Sequence, residues 1–150
     1  MSKLLWEPSE ETKNKANMTK FIGLVNKKHG RDIKSYNELY NWSITEIPEF
    51  WATIWDFIPI KASKAYIEVV DDLSKFPGAR WFKGARLNLA ENLLRHRDKH
   101  TALIFRGETR EKASLTYNQL YTEVTRVAES LRGMGVKPGD RVGAYMPNLI

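Results

Sequence analysis

The sequence predicts an α/β fold in which residues 1–100 form a mostly helical amino-terminal cap and residues 101–150 begin an open sheet with a strand, helix, strand unit. Three observations carry this. Apolar residues at helical spacing, each stripe preceded by a capping signal, dominate the chain before residue 100. After it, two β-type runs, Ala102 to Arg106 and Arg141 to Met146, flank a third helical stripe. No internal repeat, low-complexity tract or Gly/Ser linker interrupts the chain.

The first helix is expected from about Ser9 to His29. Pro8, Glu10 and Glu11 lie at its start and Lys27, Lys28 and His29 at its end, as the helix dipole favours, and Gly30 supplies the stop. Met18, Phe21, Ile22 and Val25 share one face. Capping boxes are read at Ser35 with Glu38, Ser43 with Glu46 and Thr116 with Gln119, and a looser one at Asn88 with Glu91. After the second, Ile47, Phe50, Ile54, Phe57 and Ile58 line one face with Trp51 and Trp55 on an adjacent strip. This helix is expected to be heavily buried, with Trp51, Ile54 and Trp55 among the costliest residues to truncate. Core packing accounts for the tryptophans better than a base-stacking platform does.

Tyr66 to Val70 reads as a short strand and Phe76-Pro77-Gly78 as a turn. Ala102 to Arg106 can pair with Lys112 to Leu115 across a loop holding Gly107. From Thr116, Leu120, Val124, Val127, Ala128 and Leu131 form a helical stripe that ends at Gly133 and Gly135. Lys137-Pro138-Gly139-Asp140 then turns the chain into the strand Arg141 to Met146. A crossover of this kind places its two strands parallel. Pro147 and Asn148 read as the lead into a further helix, so Ile150 is expected to be an artificial terminus.

Composition narrows the function classes. Charged residues interrupt every apolar run, so no membrane span is expected. Leu4, Leu5 and Trp6 are followed at once by Glu7 and Pro8, which argues against a secretory signal. The chain has no cysteine, which removes disulfides, thiolate nucleophiles and Cys-based zinc sites and fits a cytoplasmic protein. Its net charge of +6 lies wholly after residue 60, where 16 Lys+Arg face 10 Asp+Glu. Such an excess favours anionic partners without choosing among nucleic acid, acidic lipid, ATP and CoA.

Each possible chemical motif has a simpler structural reading. Gly133-Met134-Gly135 follows a helix, whereas a nucleotide loop precedes one, and Pro138 stands where a third glycine belongs. His96 and His100 have zinc-ligand spacing on a helix, but Arg97 and Lys99 between them oppose a metal charge. Adjacent Asp71 and Asp72 suit a loop or cap better than a shared proton, and no serine sits in a GxSxG elbow. The one plausible anion-docking cluster is Arg80, Lys83 and Arg86, interleaved with Trp81 and Phe82 around Gly84. The preferred reading is that the aromatics anchor the loop while the cations stay solvated.

The segment Trp81-Phe82-Lys83-Gly84-Ala85-Arg86-Leu87-Asn88-Leu89-Ala90-Glu91-Asn92-Leu93-Leu94-Arg95-His96 resembles the stretch that precedes the adenylation domain in acetyl-CoA and acetoacetyl-CoA synthetases. Leu115 to Leu120, Gly135 to Val142 and Tyr145-Met146-Pro147-Asn148 resemble the first core motif of adenylate-forming enzymes. Leu5-Trp6-Glu7-Pro8, the Tyr36 to Trp42 stretch, Phe50-Trp51 and Ala90 to His96 look closer to the acetoacetyl-CoA synthetases than to the acetyl-CoA synthetases.

The resemblance implies that residues 1–100 are an acetyl-CoA synthetase-like amino-terminal region and residues 101–150 the incomplete beginning of an AMP-binding adenylation domain. The implied parent is an AMP-forming acid–CoA ligase that uses ATP, Mg and CoA with a small-molecule acid, acetoacetate by preference. The phosphate loop, the AMP-holding residues and the mobile-domain lysine of such enzymes have no matching positions here. No catalytic, cofactor-binding or metal-ligating residue is therefore assigned, and the fragment alone is expected to be inactive. Other readings are an acetyl- or propionyl-CoA synthetase and, from another class, a basic nucleic-acid-binding module, which no nucleic-acid-binding signature supports.

Overall fold

Helix ends in the first half of the chain follow capping chemistry, though not always at the expected residues. The computed structural model of the protein describes residues 5–108, 111–147 and 149, and the chain divides into two units, Met1–Leu87 and Asn88–Ile150. The expected single first helix is two: α1 (Glu10–Lys15), capped by Ser9, and α2 (Asn17–His29). Between them Ala16 is extended, and the Thr19 hydroxyl donates to the Lys13 carbonyl at 2.6 Å. The apolar stripe begins only at Met18, and α1 buries none of its residues, so no packing holds the polar first turns in line with α2.

Gly30 ends α2 in the left-handed conformation (φ 61°). The Asn26 amide then clamps both backbone groups of Ile33, accepting from its N–H and donating to its carbonyl at 2.9 Å each. That clamp directs the chain into α3 (Tyr36–Thr45), where Ser35 accepts from Glu38 N and the Glu38 carboxylate reaches back to Lys34 N. The expected box at Ser43 and Glu46 does not form. Ser43 lies inside α3 and donates to the Tyr40 carbonyl at 2.7 Å, and Glu46 is the hinge before α4 (Ile47–Phe57). Pro48, tolerated only in a first turn, sets where α4 starts.

The core of this unit is Phe21, Val25, Ile33, Leu39 and Trp42, with Ile22, Phe50, Ile54 and Phe57 packed against it. Edge-on ring contacts join Phe21 to Phe57 at 5.2 Å and to Phe50 at 6.0 Å. Within α4 the fully buried residue is Thr53; Trp51 is exposed and Trp55 half-buried, so the expectation that this helix is heavily buried is corrected. An antiparallel pair, β1 (Glu68–Val70) and β2 (Trp81–Lys83), completes the unit, with Glu68 opposite Lys83 and Val70 opposite Trp81. Phe76-Pro77-Gly78 lies in the connection between them, with Gly78 at φ 125°.

The second unit opens with α5 (Leu89–Leu93), capped by Asn88 as its sequence predicts. β3 (Thr101–Phe105) and β4 (Ala113–Thr116) pair antiparallel, with Leu103 opposite Leu115 and Phe105 opposite Ala113. Thr116 and Gln119 form the expected capping box at the start of α6 (Tyr117–Gly133), which packs on both strands. Gly133 ends the helix and Gly135 turns the chain at φ 87°. A helical region followed by strands is thus observed.

Arg141 to Met146 forms no strand, so the expected parallel crossover is not closed within the described residues. A strand needs a neighbour to satisfy its backbone N–H and C=O groups, and among the described residues none pairs with this run. The helix start expected at Asn148 lies outside the described residues. No helix among the described residues is long and apolar enough to cross a membrane.

Candidate functional site

The loop Arg80 to Arg86 is held by its aromatics. Trp55, Tyr66 and Phe82 form a ring triangle with centroids 4.8, 5.1 and 5.4 Å apart, and Trp81 meets Trp51 edge-on at 6.0 Å. To reach the triangle Phe82 takes a positive φ of 47°, a region non-glycine residues rarely occupy. Gly84 follows at φ 85°, a conformation that favours glycine, and a Cβ there would lie 3.0 Å from Ile67 Cδ1, the end of an exposed side chain that would have to shift.

The backbone of Arg86 is bound to the chain before β1: its carbonyl accepts from Ser63 N at 2.8 Å and its N–H donates to the Lys64 carbonyl at 3.0 Å. Lys83 makes a cross-strand ion pair with Glu68 at 3.5 Å. Asp71 accepts from Arg80 N at 2.8 Å and from Lys75 Nζ at 3.2 Å. The backbone hydrogen bond from Arg80, with Lys75 beside it, holds the Asp71 carboxyl below its ordinary range. Asp72 accepts from the N–H and hydroxyl of Ser74. The two aspartates therefore build the loop, as their adjacency predicts.

The Arg80, Lys83 and Arg86 side chains are exposed, and among the described residues neither arginine side chain has an ion-pair partner. The positive φ at Phe82 left no signal in the sequence, since only the following Gly84 marks a turn. The pairing of Trp81–Lys83 with Glu68–Val70 was also missed, because three residues are too few for a strand pattern.

In the second unit, His96 and His100 do not share a helix face. His96 meets the Tyr117 ring at 5.8 Å, and His100 Nδ1 lies 3.1 Å from Asp98 Oδ1. The backbone N–H of His100, then its ring, lowers the Asp98 carboxyl. Arg97 stacks over Tyr121 at 3.8 Å. These contacts, with Tyr117 N donating to the His100 carbonyl and Asn118 N to that of Asp98, tie residues 96–100 to the start of α6. Among the described residues no group of three or more His, Cys, Asp or Glu could hold a metal ion. Gly133 and Gly135 stand at the carboxyl end of α6, where carbonyls rather than N–H groups are free. No step of catalysis is derived from these residues.

Comparison with known proteins gives this geometry its context. Residues 36–93 match the family described as acetyl-coenzyme A synthetase N-terminus, and residues 89–150 match the AMP-binding enzymes. An acetoacetyl-CoA synthetase from Danio rerio is 43% identical over 98% of this chain, and a malonamoyl-CoA synthetase from Penicillium aethiopicum is 36% identical over 97% of it. The solved structure of acetoacetyl-CoA synthetase from Streptomyces lividans superposes with a TM-score of 0.84 at 36% identity, covering 99% of this chain and 23% of that one. The chain spans only about a fifth of the length of the curated relatives it matches.

Proposed function

Because the homologues of this chain include acetoacetyl-CoA synthetases aligned over nearly all of it, we propose that it is the amino-terminal part of an AMP-forming acid–CoA ligase that activates acetoacetate. In that reaction a substrate carboxylate oxygen bonds to the α-phosphorus of ATP and pyrophosphate leaves. The CoA thiol then takes the acyl group and AMP departs. Such chemistry depends on positioning the reactants and neutralising phosphate charge, the latter being what Mg supplies when bound. The groups for both tasks are assigned to the parent beyond residue 150, and the fragment alone is inactive on this reading.

The observation that carries the proposal is the match of both sequence and fold over the whole chain, at 36% identity and a TM-score of 0.84 to one such enzyme. Residues 1–100 are read as the acetyl-CoA synthetase-like region and residues 101–150 as the start of the AMP-binding domain. The order of the two family matches, which meet at residues 89–93, supports this. The cysteine-free composition agrees with a cytoplasmic enzyme.

The malonamoyl-CoA synthetase among the relatives favours a second acid, malonamate, so the acid is the point to test. The parent protein, supplied in turn with acetoacetate, malonamate, acetate and propionate, is expected to form acyl-CoA fastest from acetoacetate; a clear preference for another acid overturns the assignment. Replacing Lys83 and Arg86 by Ala in the parent is expected to leave the affinities for ATP and CoA unchanged, as measured by titration calorimetry. A fall in either would make the exposed cluster a docking site.

A further inference from the structure

We draw no further inference here: the strongest candidate, the groove between α5 and α6 lined by Glu91, Arg97, Tyr121 and Arg132, is an open face carrying charges of both signs, and nothing in the structure shows what covers it.

Discussion

Thr53 shows how one side chain joins two helices. Its hydroxyl is fully buried and donates its single proton to the Glu49 carbonyl at 2.7 Å, so the 2.8 Å contact with His29 must run the other way, from His29 Nε2–H to Thr53 Oγ1. That fixes the histidine tautomer and links the end of α2 to the middle of α4. Thr53→Val keeps the shape but leaves a half-buried donor unpaired, which should cost about 1–3 kcal/mol in a urea unfolding titration. A cost near zero would mean that His29 finds water instead. Asp71 gives the corresponding pH prediction. Its folded-state carboxyl is held below the unfolded value, so its contribution is present above the ordinary carboxylate range and is lost as pH falls through the lowered value. Asp71→Asn should therefore flatten the acid side of the Tm against pH profile, and an unchanged profile would remove Asp71 from the account.

At the scale of elements, the capping residues separate what the sequence states from what packing decides. Thr116 and Gln119 form a reciprocal box, whereas Ser43, read the same way from sequence, sits inside α3. Thr116→Ala should lower stability by about 1 kcal/mol and Ser43→Ala by much less, as compared by thermal denaturation. Equal losses would contradict the assignment of the caps. The Ser43 pattern misled because α3 continues past it, with Leu39 and Trp42 buried in the core and Pro48 delaying the next helix start. The break at Ala16 was hidden for a related reason: charge placement was consistent with one helix, but no apolar stripe extended into its first turns. β3, β4 and α6 were legible because their patterns are satisfied by one another, within the second unit. Arg141 to Met146 has strand composition and no pairing strand, so its sequence states a propensity that local structure alone does not realise.

For the whole molecule, the loop that carries Arg80, Lys83 and Arg86 is anchored by its aromatics. Phe82 and Trp81 are engaged with Trp55, Tyr66 and Trp51, and the backbone of Arg86 is fixed, while the side chains of Arg80, Lys83 and Arg86 are exposed. The chain covers about a fifth of its relatives' length. What this part contributes, on the proposed reading, is a capped helical unit and the first elements of a sheet on which the remaining sequence builds the reaction site. The most direct measurement is acid-dependent exchange of labelled pyrophosphate into ATP by the parent protein in the absence of CoA. Exchange that requires acetoacetate is predicted, because it reports the acyl-adenylate itself; a parent that is folded and binds ATP yet shows no acid-dependent exchange would contradict the assignment.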